Sequence, residues 1–302
     1  MVCDNILDCV GRTPCLRLKF GEGTVFAKAE FMNPGGSVKD RIIFRILGLA
    51  EKEGRLRPGM GVAEATSGNT GISLAIAGAA RGYPVTVFMP ETASRERRKL
   101  LRLLGANMVL TPAQEGVGGA VAALEKFVRR EPDTFVMNQF TNQENVAAHY
   151  HGTGREIWED MEGDVDCFVN GIGSGGTLMG VGSFLKERTT AMHLLAVEPR
   201  GSAALLGHTA KAHSIEGIGD GFLPEIVDPE LIDSVMEISD KDAVERATDL
   251  ARTKGLLVGI SAGANLAASI VMLTKNPGWR IATVLPDRAE RYFSTPLFEG
   301  AA

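Results

Sequence analysis

Short apolar runs that end in glycine-rich turns recur along this chain, and each turn opens a segment with helical periodicity. Three such turns occupy residues 66–71, 171–177 and 259–263. The apolar runs that precede them, at residues 61–65, 166–170 and 256–258, have the length and composition of strands. Further strand-like runs lie at 85–88, 108–110, 134–137, 194–197 and 281–285. Strands that alternate with helices predict an α/β fold in which mostly parallel sheets are covered by helices.

A fourth turn, Asn33-Pro34-Gly35-Gly36, precedes a helix that begins near Lys39. Ser37 and Asp40 have the spacing of a capping box, which places Lys39 in the first helical turn. The unpaired amides and the macrodipole at this helix end disfavour an ammonium and favour a neutral, nucleophilic amine. A lone lysine beside Asp40 would be an ordinary solvated side chain. Because Lys39 occurs in one chain with three other glycine turns, we expect it to belong to a functional site.

Each glycine turn is suited to bind an anion or a polar edge of a ligand. Glycine lets the backbone approach closely, and the first amides of the following helix have no partner within the helix. Thr66, Ser67 and Thr70 add hydroxyl groups to the first turn, so we expect this turn to bind a substrate carboxylate. These hydroxyls are also typical helix caps.

Several motifs, in this order, resemble the pyridoxal-phosphate enzymes of the cysteine synthase (O-acetylserine sulfhydrylase) family. They lie at residues 6–14, 89–92, 96–101, 139–140, 217–219 and 290–298, in addition to the lysine and the glycine turns. The resemblance therefore extends over nearly the whole chain. It implies pyridoxal 5'-phosphate as the cofactor.

The resemblance also assigns roles to individual residues. Lys39 would bind the cofactor covalently and act as the catalytic base, and Asn69 would bond the ring oxygen of the cofactor. The phosphate would lie on Gly173, Ser174, Gly175, Gly176 and Thr177, while Ser261 would face the pyridine nitrogen. Gln139 and Gly217 would contact the substrate. A neutral hydroxyl at Ser261 makes the cofactor a weaker electron sink than a carboxylate would, which suits β-elimination better than transamination.

The same resemblance predicts a fold-type II architecture, similar to that of the tryptophan synthase β subunit, with two three-layer domains. Residues 33–140 would form a partly mobile N-terminal α/β domain, and residues 141–302 a C-terminal α/β domain. The opening strands, within residues 1–32, would join the two and fold back onto the second unit. The cofactor would lie in the cleft between them, near the carboxyl ends of strands.

The predicted reaction is a β-replacement in which O-acetyl-L-serine and sulfide give L-cysteine and acetate. Residues 216–222 also resemble the corresponding loop of cystathionine β-synthases. Residues 150–152 and 287–288 are similar to siderophore-related diaminopropionate-pathway synthases. Serine with homocysteine, or an O-phosphoserine substrate, is therefore an alternative. The expected partners are the amino-acid substrate and sulfide, a second copy in a homodimer, and serine acetyltransferase.

A dehydrogenase that binds NAD or NADP is the alternative from a different class. Gly171, Gly173 and Gly176 satisfy G-x-G-x-x-G between a strand and a helix, and Glu198 follows the next strand as a ribose-binding acid would. The motif lies in the middle of the chain, however, and a dehydrogenase would not explain the position of Lys39. A regulatory protein that binds the cofactor without catalysis is a third alternative. No P-loop motif is present.

Charge and cysteine content exclude further classes. Lysine and arginine total 32 against 37 acidic residues, a net charge of −5, which argues against a general nucleic-acid or membrane-surface role. No signal peptide or membrane-spanning run appears, so we expect a cytoplasmic protein. Cys3, Cys9, Cys15 and Cys167 lack metal-ligand spacing, and we expect reduced thiols and no metal. His149 and His151 do not share a helix face, so we expect packing or hydrogen-bonding roles.

Overall fold

The computed structural model describes residues 2–208 and 211–299. The strands are β1 Cys15–Phe20, β2 Gly23–Lys28, β3 Gly61–Ala65, β4 Val85–Pro90, β5 Asn107–Thr111, β6 Thr134–Val136, β7 Cys167–Gly171, β8 His193–Pro199, β9 Ser234–Ile238 and β10 Arg280–Val284. The α-helices are α1 Lys39–Lys52, α2 Asn69–Arg81, α3 Arg95–Leu103, α4 Gly116–Val128, α5 Gln143–Ala148, α6 Arg155–Asp160, α7 Gly176–Lys186, α8 Asp240–Lys254 and α9 Ile260–Lys275. A π-helical turn, His149–Gly154, connects α5 to α6. No helix in the two described ranges is long and apolar enough to cross a membrane.

The larger sheet has the strand order β1-β2-β10-β7-β8-β9. Only the β1–β2 pair in this sheet is antiparallel. Side chains of β7 alternate between two cores because successive residues of a strand point to opposite faces. Val169 packs with α8 and α9 on one face, and Phe168 packs with α6 and α7 on the other. This unit therefore has three layers.

The smaller sheet has the order β5-β4-β3-β6, with all pairs parallel. Val62 and Val87 pack against α1, α2 and α3 on one face, and Ala63 and Phe88 pack against α4 on the other. The predicted α/β fold with mostly parallel sheets is confirmed. The domain boundaries, 33–140 and 141–302, stay a prediction.

Three local features differ from the sequence prediction. Residues 256–258 form no strand, and Val258 makes only an isolated bridge to Arg288. Strand β9, at the edge of the larger sheet, was not anticipated because four of its five residues are only half-buried. The capping box at Ser37 is also wrong. Val38 is the N-cap residue, and the Asp40 carboxylate accepts a hydrogen bond from Gly35 N at 2.6 Å.

Candidate active site

A cleft at the carboxyl ends of β3, β6, β7 and β10 brings together nearly all the residues selected from the sequence. The cofactor candidates that line it are Lys39, Asn69, residues 173–175, Thr177 and Ser261. The substrate candidates that line it are Thr66, Ser67, Thr70, Gln139 and Gly217. Gly176 does not line the cleft. As the first residue of α7 it lies directly behind the glycine loop.

Lys39 is the first residue of α1 and lies on the wall of the cleft. Burial lowers its pKa, while the negative charges of Asp220 and Asp287 oppose that shift. The direction agrees with the neutral amine expected from the helix position, and burial is the main cause. Lys39 makes no ion pair closer than 4 Å to any residue in the two described ranges.

The glycine loop after β7 ends at Gly175, whose φ of +88° is in the left-handed region that glycine favours. α7 starts immediately afterwards, so its first amides face the loop without partners inside the helix. The Ser174 hydroxyl accepts a hydrogen bond from Asn145 Nδ2 at 3.0 Å. Thr177 Oγ1 lies 3.2 Å from His149 Nε2. Buried hydroxyls and free amides together make this loop suitable for an anion.

The turn after β3 combines capping with ligand-binding geometry. Thr66 Oγ1 accepts a hydrogen bond from Gly68 N at 3.0 Å, so Thr66 has the capping role that its residue type allows. The Thr70 hydroxyl donates to Gln139 Oε1 at 2.7 Å. Asn69 Nδ2 donates to Asp287 Oδ2 at 2.6 Å. These contacts fix the turn in one conformation and leave the Ser67 hydroxyl toward the cleft.

Ser261 is the second residue of α9 and is 4% exposed. Its neighbour in the helix, Asn265, accepts a hydrogen bond from Gly171 N at 2.8 Å and donates to the Val284 carbonyl at 2.9 Å. Asn265 thereby ties the start of α9 to the ends of β7 and β10, which sets the position of Ser261 in the cleft.

Charged residues that the sequence did not single out also contribute to the site. Asp220 lies on the cleft wall, and burial raises its pKa while the nearby charge of Lys39 opposes the shift. Arg97 of α3 also lines the cleft, pairs with Glu216 and lies with its guanidinium 4.9 Å from the Tyr292 ring centroid. Arg97 and Glu216 lie in segments that carry the family resemblance, but no local pattern reveals that they meet.

Two other candidates from the sequence are structural in this fold. The Glu198 carboxylate accepts hydrogen bonds from the amides of Ala204 and Leu205, at 2.9 and 3.2 Å, and it does not line the cleft. Burial lowers the pKa of His149 well below its usual value, and its Nδ1 lies 2.9 Å from Thr153 Oγ1. Glu198 therefore has an environment unlike that of a ribose-binding acid.

The chain belongs to the pyridoxal-phosphate dependent enzyme family, whose model matches residues 6–287. It is 45% identical over 307 residues to cysteine synthase A of Escherichia coli (strain K12), covering 98% of this chain and 95% of that protein. The crystal structure of cysteine synthase from Entamoeba histolytica matches with a TM-score of 0.93 and 40% identity, over 99% of this chain and 91% of that one. An O-acetylserine dependent cystathionine β-synthase from Helicobacter pylori matches with a TM-score of 0.94 and 37% identity, over 99% of both chains.

The cofactor is therefore pyridoxal phosphate, and the fold-type II architecture is confirmed. The residues present fit this group. The cleft offers a buried amine with a lowered pKa at Lys39, unpartnered helix amides behind Gly175 for a phosphate, and a neutral hydroxyl at Ser261. Pyridoxal phosphate requires this set of groups, whereas binding of a dinucleotide would not.

Proposed function

We propose that this chain is a cysteine synthase that converts O-acetyl-L-serine and sulfide into L-cysteine and acetate. The observation that carries the proposal is the juxtaposition, in one cleft, of Lys39, Ser261 and the anion-binding loop before α7. Pyridoxal phosphate, when bound, supplies an electron sink for the charge left at the substrate Cα. Every other part of the chemistry belongs to residues of this chain.

In this proposal Lys39 carries the cofactor and then moves the Cα proton. Burial lowers the pKa of Lys39, which favours the neutral amine that accepts this proton. The 66–70 turn binds the substrate carboxylate through the first amides of α2 and its hydroxyls, and Gln139 supports the turn through Thr70. Acetate leaves Cβ with its bonding electrons, sulfide then adds at the same carbon with its own electron pair, and Lys39 returns the proton to Cα.

Asn69, residues 173–177 and Ser261 hold the cofactor in this proposal. Ser261 gives the pyridine nitrogen a neutral partner, which favours loss of a group from Cβ over transamination. Gly217 and Asp220 line the same cleft, so Asp220 adds a carboxylate to the surroundings of the substrate.

The assembly, location and domain motion of the protein are also proposals. From the resemblance to cysteine synthases, we propose a homodimer located in the cytoplasm, with serine acetyltransferase as a candidate partner. We propose that residues 33–140, which contain the smaller sheet and Asn69, move relative to residues 141–302 when substrate binds. Such a motion would change the distance between the substrate turn and the glycine loop.

The test is to give the purified holoenzyme O-acetylserine, O-phosphoserine or serine, each with sulfide or homocysteine. We expect the highest kcat/KM with O-acetylserine and sulfide, measured as cysteine formed. Faster turnover with homocysteine would move the proposal to a cystathionine β-synthase, as in the Helicobacter pylori structure. Absence of turnover with every pair would refute β-replacement.

A further inference from the structure

Glu64, in β3, is a buried carboxyl group without a cationic partner. Its side chain is 2% exposed, and no lysine or arginine of the described ranges lies within ion-pair distance of it. A buried carboxylate is costly unless hydrogen bonds compensate it. Here the compensation comes from backbone amides. Glu64 Oε1 accepts from Ala65 N at 2.8 Å, and Oε2 accepts from Gln139 N at 3.3 Å.

The amides that Glu64 binds belong to a strained turn. Asn138 has φ +54°, in the left-handed region that non-glycine residues seldom adopt. Such strain persists only where surrounding contacts enforce it, and it is concentrated at functional sites. Glu64 supplies one of those contacts, at the Gln139 amide that directly follows Asn138.

The strained turn presents Gln139 to the substrate turn. Gln139 is 3% exposed, accepts a hydrogen bond from the Thr70 hydroxyl and donates from Nε2 to the Ala65 carbonyl at 2.9 Å. Because both ends of its carboxamide bond residues in or beside the 66–70 turn, any displacement of Gln139 displaces that turn as well. Glu64 thus acts on the proposed carboxylate site without touching it.

We propose that Glu64 is a positioning residue that holds the Asn138–Gln139 turn and thereby sets the affinity of the enzyme for the substrate carboxylate. This inference rests on the proposed function, because it takes the 66–70 turn as the carboxylate site. Replacement of Glu64 should weaken amino-acid binding and change the rate of the chemical step only slightly.

Protonation of Glu64 should lower the affinity of the enzyme for the amino acid. Burial raises the pKa of Glu64 to about 7, although hydrogen bonds from backbone amides oppose the shift. The other charged groups that border its cavity are Glu125 and Arg129 of α4 and Glu225, and none forms an ion pair with Glu64. As pH falls through about 7 the carboxylate gains a proton and becomes a weaker acceptor. Amino-acid affinity should therefore fall on the acid side.

The experiment compares Glu64→Gln with Glu125→Gln, a control at the same cavity. Within residues 2–208 and 211–299, the only ion pair of Glu125 is with Arg129. The probe is L-alanine, which carries the α-carboxylate but no leaving group. Its dissociation constant is followed by the visible absorbance of the holoenzyme between pH 6 and 8. We expect Glu64→Gln to raise this constant and the KM for O-acetylserine about tenfold, since an amide group replaces a charged acceptor. Cofactor content, and kcat within about threefold, should be retained. The ammonium group of L-alanine must lose a proton to react, so binding weakens steadily on the acid side in every variant. Only the additional weakening below about pH 7 should disappear in Glu64→Gln.

A Glu64→Gln enzyme that matches Glu125→Gln in L-alanine affinity and pH profile would overturn the inference. If Glu64→Gln does not fold, the wild-type enzyme decides. A pH profile of L-alanine binding that shows only the constant slope set by the alanine ammonium, with no steeper fall below about pH 7, contradicts the role of Glu64. Adding Asn138→Gly to Glu64→Gln should restore part of the affinity, since glycine adopts φ +54° without strain. No restoration would also count against the inference. Wild-type enzyme that binds L-alanine but turns over no substrate would refute the proposed function alone.

Discussion

Replacement of Gly176 by alanine tests how the glycine loop is built. Gly176 starts α7 behind the loop, and a Cβ atom there would overlap the carboxamide of Asn145, with Nδ2 2.9 Å away and the other two atoms closer. Asn145 is 1% exposed and donates to the Gln139 carbonyl at 2.7 Å and to Ser174 Oγ at 3.0 Å. The alanine methyl group must therefore displace the side chain that links Gln139 to the anion-binding loop.

The size of the effect follows from these contacts. Overpacking at a buried position costs about 1–3 kcal/mol, and loss of the two Asn145 hydrogen bonds costs about 1 kcal/mol each. We therefore expect Gly176→Ala to lower the free energy of unfolding by about 3–5 kcal/mol. Asn145→Ala alone should cost about 2 kcal/mol through the hydrogen bonds. In that background Gly176→Ala should cost less than about 1 kcal/mol, because the overlapping atoms are gone.

The assay is urea unfolding of the holoenzyme, followed by the fluorescence of Trp158 and Trp279, for the two single variants and the double variant. Pyridoxal-phosphate content, measured in parallel, reports the effect on the loop through Ser174. Strict additivity of the two substitutions would refute the reasoning, because it would mean that Gly176 and Asn145 do not compete for the same space. A Gly176→Ala enzyme as stable as wild type would refute it as well.

Three further results are expected. Lys39→Ala should abolish covalent attachment of the cofactor, so that borohydride reduction no longer labels the α1 peptide in mass spectrometry; labelling at another lysine would contradict the assignment. Ser261→Ala should keep the cofactor and lose about tenfold in kcat/KM, since one hydrogen bond contributes about 1–2 kcal/mol. An unchanged kcat/KM would mean that Ser261 does not bond the ring nitrogen of the cofactor. Burial opposes ionisation of Glu156, but Arg41 and Lys28 outweigh it and lower its pKa to about 2. This carboxylate stabilises the fold above its ordinary pKa of 4.5, and the contribution is lost as pH falls toward 2. Glu156→Gln should therefore unfold at lower urea concentration than wild type at pH 7, and the difference should vanish near pH 2; a difference that is independent of pH would contradict the ion-pair account.

Features that depend on neighbouring residues were predictable from the sequence. Apolar runs of strand length, glycine turns and helical periodicity are local patterns, and they placed β3, β4, β7 and β10 within one or two residues of their bounds. The same patterns put Lys39 in the first turn of α1. The order of motifs then identified the family, which the comparisons confirm.

Features that depend on partners distant in sequence were mispredicted or missed. Asp40 was assigned to a capping box, but its carboxylate accepts a hydrogen bond from the hydroxyl of Ser73 in α2, 33 residues away, as well as one from Gly35 N. Residues 256–258 have a strand-like composition, but no neighbouring strand is free to pair with them along their length. β9 has too few buried residues to stand out from its surroundings, and it is a strand because β8 pairs with it.

The sequence by itself determined the fold class and the identity of most residues in the cleft, because helix ends and glycine turns carry their ligand-binding groups locally. The cofactor followed from the resemblance of the ordered motifs to a family. Only the tertiary structure decided how those residues are held. Asn145 joins segments 29 residues apart, Glu64 reaches Gln139 across 75 residues, and Asn69 bonds Asp287 across 218. Such contacts arise when two sheets present the carboxyl ends of their strands to one cleft, and no pattern of adjacent residues encodes that approach.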